Sequence, residues 1–574
     1  LATEKSQAMS LRLIECVPNI SEGRDRATID AIASVVETVE GVRLLDVDPG
    51  NSTHRTVITF VGPPETIVEA AFRLMSKAAE LIDMSKHRGE HPRMGATDVC
   101  PFVPVVGVTM EDCKAAAHAL GERVGKELGI PGYFYEDAAL TPERKNLAHC
   151  RKGEYEGLEK LSNPAWKPDF GPAEFNERAR KTGATAIGAR DFLVAYNINL
   201  NTTSSRRANA VAFDLRENGR VKREGGVTGP IVNDAQGQPM REPGLLKCVK
   251  GIGWYIEEYG IAQLSLNLTN ISVTSVHEAF DAACERSIAR GMRVTGSEIV
   301  GLIPKRVLLD AADHYLRKQE RSLGISESEK VKVAVKSLGL DDLAPFDARK
   351  RVIEYLLEDG LGNAAPLAAM TLTGFAEETS SESPAPGGGS IAAYAGVLGV
   401  SLGTMVANLS AHKRGWDGRW EEFSKVAERG MALQSRLLAL VDEDTAAFDA
   451  IMEAFGMPKG NEAQKAARKA AIQAATLGAM KTPLEVAERS LESMAIMAEM
   501  AERGNPNSVT DAGVGALCAR TAVLGAVMNV RVNAADLEDR DAAETMLARC
   551  SELEAAAEQQ ERAVRDRVAA VLAG

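Results

Sequence analysis

No C-x-x-C pair occurs in the 574 residues, and the eight cysteines lie scattered along the chain. This spacing speaks against a zinc site or a disulfide framework and predicts reduced thiols in a cytoplasmic protein. Aromatic residues are few, 5% of the chain, and none follows Phe455. No uninterrupted apolar run approaches the ~18 residues of a membrane span, and no basic segment leading into an apolar one marks a secretory leader near the start. Positive charge is in deficit: 67 Lys and Arg face 80 Asp and Glu, a net charge of −13. Neither nucleic acid nor an anionic membrane surface is therefore an expected partner. What the chain does have is 45% hydrophobic and 26% charged residues, ordinary material for soluble cores, and this excludes global disorder. At roughly 100–200 residues per domain, the length predicts several folding units.

Up to about residue 357 short β-rich runs alternate with amphipathic stretches, an α/β pattern. Strands are predicted at Arg12–Val17, Arg43–Val47, Arg55–Val61, Pro101–Val108, Phe192–Asn197 and Gln263–Leu268, with helices such as Glu65–Met84 and Glu111–Leu128 between them. The polar stretch Arg206–Pro243, containing GGVTGP and NDAQGQP, reads as a long loop or hairpin insertion. At 358–366 the sequence carries Asp359-Gly360, Gly362-Asn363 and a closing proline, the punctuation of an interdomain linker. Beyond it alanine dominates and β-branched runs largely disappear, which favours closely packed helices over sheet. The expected fold class is multidomain: an α/β part followed by an all-α helical bundle. The last helix, from about Leu537, repeats Leu547, Cys550, Leu553, Val564, Val568 and Leu572 among charges, a stripe suited to a bundle or a dimer.

In KHRGEHPRMG, Lys86–Gly95, two histidines, two arginines, a lysine, a glutamate and two glycines share ten residues. A histidine beside carboxylates and guanidiniums is what acid–base work on a charged substrate needs near neutral pH. The plain alternative is a solvated turn stiffened by Pro92. His87 and His91 have the i, i+4 spacing of metal ligands, but Gly89 and Pro92 disfavour a helix and no third ligand is evident, so no metal is expected. Upstream, in LLDVDPG, Asp46 and Asp48 share a face at the end of a strand with a turn following. They either line a site or cap the turn.

The runs ECVPNISEGRD at Glu15–Asp25, LLDVD at Leu44–Asp48, RTVITFVGPPE at Arg55–Glu65 and HRGEHPRMGATDVCPFVPV at His87–Val105 resemble the formiminotransferase domain of the formiminotransferase-cyclodeaminase family. The likeness continues through YNINLN at Tyr196–Asn201, KGIGWYIEE at Lys250–Glu258, EIVGLIP at Glu298–Pro304 and RVIEYLL at Arg351–Leu357. It implies an N-terminal subdomain over 10–191 and a C-terminal one over 192–357. The activity it implies is transfer of the formimino group from N-formiminoglutamate to N5 of tetrahydrofolate, in histidine degradation. It puts the catalytic histidine on His91 and a second catalytic group on Asp48. It puts the folate-contacting loop on GPAEFNERARKTG, with Gly171, Pro172 and Gly183 as contacts. One histidine can take the proton of the attacking amine and deliver one to the leaving nitrogen. Asp48 would orient or charge-stabilise that imidazole, and Arg93 would hold a glutamate carboxylate.

In the second part SPAPGGGS, Ser383–Ser390, leads into the apolar run Ile391–Val406. Gly387, Gly388 and Gly389 expose N–H groups at a helix start, an anion site or merely a flexible turn. No Walker or dinucleotide spacing is present. On the helix predicted over Glu421–Phe455, Leu433, Leu437, Leu440, Val441, Phe448, Ile451, Met452 and Phe455 mark one face. Asp444 falls on that face, whereas Asp442 and Glu443 rotate away. Burial would raise the Asp444 pKa unless a cation compensates, giving either a proton donor or an ion pair at the bundle edge. PAPGGGSIAA at Pro384–Ala393, VDEDTAAFDA at Val441–Ala450, GNPNSVTDAG at Gly504–Gly513 and GAVMNVRVN at Gly525–Asn533 resemble the cyclodeaminase domain of the same family. They are also similar to stand-alone methenyltetrahydrofolate cyclohydrolases. The resemblance implies a cyclodeaminase domain over 367–574, puts the catalytic aspartate on Asp444 and reads Gly387, Gly388 and Gly389 as folate-binding. His412 and the Lys413-Arg414 pair receive no role.

Joined, the two parts imply a bifunctional folate enzyme that makes 5-formiminotetrahydrofolate and closes it to 5,10-methenyltetrahydrofolate with release of ammonia. Tetrahydrofolate, polyglutamylated, is the expected cosubstrate, without a metal, in a cytoplasmic homo-oligomer. Two rivals stand beside this. One is a glutamate formyltransferase fused to a methenyltetrahydrofolate cyclohydrolase, and the other is a noncatalytic folate-binding scaffold.

Overall fold

The computed structural model describes residues 12–51, 53–89, 92–226, 228–359 and 367–573. The chain divides into two compact units, Leu1–Val307 with Leu338–Gly360, and Leu308–Ser337 with Leu361–Gly574. Most of the expected linker lies outside the described residues.

The first unit opens with a sheet of β1 (Leu13–Cys16), β2 (Asn19–Ile20), β3 (Arg43–Gly50), β4 (Arg55–Gly62), β5 (Thr97–Val106), β6 (Gly132–Glu136) and β7 (Thr185–Ala189). Their order is β1-β4-β2-β5-β7-β6, with β3 pairing on β4. Because β1 and β2 run antiparallel to both β4 and β5, LIEC is buried at all of its positions and shows no alternation. β5, β7 and β6 are parallel. The sheet carries α1 (Arg26–Ala33), α2 (Pro64–Leu81) and α3 (Met110–Arg123), with the short α4 (Leu147–Cys150) and α5 (Glu177–Thr182) in the later loops. α2 buries Ile67, Ala70, Ala71, Leu74, Met75 and Ala78 at helical spacing. α3 begins with a capping box between Thr109 and Asp112. β3 runs on through Pro49 to Gly50, so Asp46 and Asp48 sit inside a strand instead of at its end. β3 pairs only with β4, and on such an edge the N–H that Pro49 lacks disturbs no second ladder.

A second sheet holds β8 (Val194–Leu200), β11 (Val249–Ile256), β12 (Ile261–Leu268) and β13 (Val294–Val300) in the order β11-β12-β8-β13, antiparallel throughout. The segment expected as a loop or hairpin insertion is helical at its start. Residues Ser205–Leu215 form α6, whose N-terminus is capped by the Ser204 hydroxyl accepting from the Arg207 N–H. Ala208, Val211, Ala212 and Leu215 are buried there at i, i+3, i+4 and i+7, a spacing masked in the sequence by interleaved polar residues. Only the remainder is irregular, joined by the two-residue strands β9 (Arg220–Val221) and β10 (Arg241–Glu242). After α7 (Val276–Ile288) come α8 (Arg306–Lys318) and α9 (Glu327–Leu338), which belong chiefly to the second unit, and α10 (Ala348–Arg351) and α11 (Ile353–Asp359), which belong to the first.

The second unit is helical: α12 (Leu372–Thr379), then the long α13 (Gly388–Ala411), α14 (Trp420–Gly456), α15 (Glu462–Arg503), α16 (Val509–Ala534) and α17 (Arg540–Leu572). Its core runs through Val400, Phe423, Leu437, Met497, Val523 and Leu553. Alanine and glycine let the helices approach closely. A methyl placed on Gly399 would lie 2.8 Å from the Gly515 carbonyl oxygen, so α13 and α16 meet backbone to backbone. By length and composition Gly388–Ala411 and Pro506–Ala534 could cross a membrane, but 61% and 44% of their most apolar windows are buried inside the unit. Along α14 Leu433, Leu437, Leu440 and Val441 are buried, whereas Phe448, Met452 and Phe455 are 41%, 54% and 51% exposed, so the apolar stripe leaves the core before the helix ends.

Candidate active sites

In the first unit a cavity of about 450 Å³ opens between the two sheets. Period-two geometry aims Asp46 and Asp48 of β3 and Arg55 of β4 into it, and Glu15 of β1, Glu136 of β6, Arg151, Arg190 and Lys250 of β11 complete its charged wall. Asp98, fully buried behind this wall, bonds the guanidiniums of both Arg55 and Arg151 and accepts the Met94 N–H at 2.9 Å. Burial alone would raise the Asp98 pKa, but the two guanidiniums outweigh it and hold the carboxyl below its usual range. Two cations are thereby fixed at the cavity surface. Glu15, in contrast, makes no side-chain hydrogen bond to the described residues, and burial pushes its carboxyl up to about 7 against the opposing pull of Arg190. Burial, then the neighbouring Asp48, raises Asp46 as well.

Within Lys86–Gly95, His87 and Arg93–Gly95 are buried instead of lying in a solvated turn. His87 is 5% exposed and its Nε2 donates to the His54 carbonyl at 2.9 Å. Arg93 Nε donates to His87 Nδ1 at 3.3 Å, which fixes the tautomer, and burial lowers the pKa of the imidazole. The His54 ring stacks on His87 at 4.3 Å and contacts Glu22 at 3.0 Å. His91 itself lies outside the described residues. Arg93 does not await a substrate carboxylate: it is 6% exposed and bonded to Glu154 at 3.2 Å and to Glu156 at 2.8 and 2.7 Å. Gly171, Pro172 and Gly183 lie outside the cavity wall. Gly171 and Gly183 have positive φ, and side chains there would strike the Ile130 and Met94 carbonyls at 2.3 and 2.1 Å.

In the second unit a smaller cavity of about 270 Å³ is lined by Gly387, Gly388, Gly389, Asp444, Thr445, Asn529 and Asn533, among others. The start of α13 lies against α14: a methyl on Gly389 would sit 2.1 Å from Asp444 Oδ1. The Ser390 hydroxyl donates to Asp444 Oδ2 at 3.0 Å. Asp442 instead accepts the Leu367 N–H at 2.7 Å, and Glu443 pairs with Arg436. No Lys, Arg or His is among the described lining residues. Burial therefore lifts the Asp444 carboxyl above its usual range, against the hydroxyl and N–H of Ser390. His412 caps the far end of α13, roughly 35 Å away at about 1.5 Å per residue.

Glu15, Arg55, Arg151, Arg190, Lys250, Glu136, Asn529 and Asn533 were not singled out from sequence. For Glu15 a signal existed, a single acid inside an otherwise apolar strand.

Family models describe residues 13–190 as the formiminotransferase domain, N-terminal subdomain, 195–358 as the formiminotransferase domain and 371–552 as formiminotransferase-cyclodeaminase. The chain is 43% identical over 529 residues to the formimidoyltransferase-cyclodeaminase of Mus musculus, covering 92% of this chain and 93% of that one. It belongs to the formiminotransferase-cyclodeaminase family. Two further relatives carry the name of a single activity. The glutamate formimidoyltransferase of Streptococcus pyogenes serotype M1 is 41% identical over 310 residues, 54% of this chain and 95% of its own. The methenyltetrahydrofolate cyclohydrolase of Methylorubrum extorquens is 38% identical over 177 residues, 31% of this chain and 85% of its own.

Proposed function

We propose that the chain is a bifunctional folate enzyme: the first unit transfers the formimino group of N-formiminoglutamate to tetrahydrofolate, and the second closes the product to 5,10-methenyltetrahydrofolate. The observation that carries this reading is the pair of cavities, one lined by residues of the two formiminotransferase matches and the other by residues of the formiminotransferase-cyclodeaminase match at 371–552.

In the first cavity N5 attacks the formimino carbon, its proton leaves, and the C–N bond to glutamate breaks as that nitrogen gains a proton. His91 shuttles these protons and Asp48 orients or charge-stabilises it. The wall of Glu15, Asp46, Asp48 and Glu136 facing Arg55, Arg151, Arg190 and Lys250 suits a donor with two carboxylates and a cationic amidine. A formyl donor is neutral at that end, so the formimino chemistry is favoured over the formyltransferase rival. In the second cavity N10 attacks the formimino carbon and gives up its proton, the bond to the terminal nitrogen breaks, and Asp444 protonates that nitrogen as it leaves as ammonia. Gly387, Gly388 and Gly389 border the bound folate there, and Gly171, Pro172 and Gly183 shape a folate-contacting loop in the first unit.

The folate is polyglutamylated, which would tether the intermediate near the second site, and neither step requires a metal. A cytoplasmic, homo-oligomeric enzyme is supported by eight cysteines in the thiol form and by exposed Leu398, Met405 and Met528 on helices of the second unit. The test follows methenyl absorbance and ammonia with tetrahydrofolate and N-formiminoglutamate in wild type, His91→Ala and Asp444→Ala. Product from wild type, no transfer in the first variant and ammonia-free accumulation of formimino-folate in the second are expected. Turnover of formylglutamate alone would replace this reading with its rival, and folate binding without turnover would leave the scaffold.

A further inference from the structure

Pro483 stands inside α15, where a proline costs about 3 kcal/mol in an ordinary helix interior. Having no N–H, it leaves the carbonyl of Ala479, four residues earlier, without its helical partner. That residue lines the Asp444 cavity. The orphaned carbonyl is taken by Asn533 of α16, whose Nδ2 donates to it at 3.1 Å and to the Asn529 carbonyl at 3.0 Å. Both acceptors are carbonyl oxygens, so the amide orientation is forced: nitrogen inward, oxygen away. One turn earlier Asn529 is turned the same way by a single bond, its Nδ2 donating to the Gly525 carbonyl at 2.9 Å. Neither Oδ1 has a hydrogen-bond partner among the described residues, and both asparagines line the cavity. At i, i+4 spacing two such oxygens stand side by side on one helix face.

We infer that the Oδ1 atoms of Asn529 and Asn533 form an acceptor wall that binds the N–H-bearing edge of the reduced pterin during ring closure, and that Pro483 exists in α15 to hold Asn533 in this orientation. The inference rests on the function proposed above and assigns how the second cavity recognises its substrate. A reduced pterin offers N–H donors at N3, at the 2-amino group and at N8, whereas an asparagine with a free NH₂ would select ring carbonyls instead. Asp444 then meets the formimino end, with the ring held against α16.

The experiment supplies 5-formiminotetrahydrofolate directly to the full chain and measures methenyl formation in wild type, Asn533→Leu, Pro483→Ala and the double variant. Transferase turnover of N-formiminoglutamate reports folding. Asn533→Leu is expected to raise KM about tenfold with kcat within about threefold, the size of a lost hydrogen bond. Pro483→Ala returns an N–H to the Ala479 carbonyl and frees the Asn533 amide, so KM rises in the same direction without loss of thermal stability. Because it acts through Asn533, adding it to Asn533→Leu changes KM no further. Unchanged KM in Asn533→Leu, or effects that multiply in the double variant, overturns the inference alone. A wild type that makes no methenyl product from the supplied intermediate overturns the underlying function and this inference with it.

Discussion

Each cavity wall carries a carboxyl, Glu15 in the first and Asp444 in the second, that is governed by what burial does to a charge. Glu15 titrates near 7 because desolvation outweighs Arg190, so the folded chain binds its proton more tightly than the unfolded chain does. The stability this lends is complete below the unfolded carboxylate range and is lost as pH rises through 7. Glu15→Gln removes that dependence: the stability difference between variant and parent should grow in favour of the variant by roughly 3 kcal/mol between about pH 4.5 and pH 8, at ~1.4 kcal/mol per pH unit. Denaturation midpoints across this range check it, and parallel curves would show that Glu15 does not titrate there. Asp444 is raised in the same direction, which suits a group that must hold a proton until ammonia leaves.

At the scale of elements, function depends on close approaches between helices and on the edges of strands. α13 begins hard against α14, and no side chain fits at Gly389, where a methyl would sit 2.1 Å from Asp444 Oδ1. Gly389→Ala should displace that carboxyl and lower methenyl formation on the order of 100-fold while transferase turnover stays at the wild-type level. Assaying both activities on one preparation separates this from unfolding, and full ring closure in the variant would remove Asp444 from the mechanism. Much of this level was legible in the chain. The stripe through Leu433, Leu437 and Leu440 carried Asp444 to the cavity face because helical periodicity is a local property. α6 was missed because Arg206 and Arg207 precede its four buried residues and Asn209 and Asp214 fall among them. The end of β3 was missed because Pro49-Gly50 reads as a turn wherever its edge position is unknown.

At the scale of the whole molecule the chain consists of two units, each with its own cavity. Under the proposed function the intermediate passes from the first to the second. Mixing His91→Ala with Asp444→Ala, each inactive in methenyl formation from N-formiminoglutamate, is expected to restore product through free 5-formiminotetrahydrofolate. The lag before methenyl appears should shorten as protein concentration rises in the mixture but not in wild type, whose two sites share one chain. Stopped-flow absorbance reads both lags, and a wild-type lag with the same concentration dependence would exclude any benefit of covalent fusion.

The amino-acid sequence by itself determined the division into α/β and helical parts, the common face of Asp46 and Asp48, and the inward position of Asp444. These follow from periods of two and 3.6 residues and from composition, which need no knowledge of distant neighbours. Tertiary structure alone decided which charges are spent and which are available. Arg93 is consumed by Glu154 and Glu156, Arg55 and Arg151 are fixed by Asp98, and Asn533 is turned by a carbonyl that Pro483 leaves open. Each of these outcomes depends on a partner brought close only by sheet register or helix packing, and a buried charge or amide takes its chemistry from that partner.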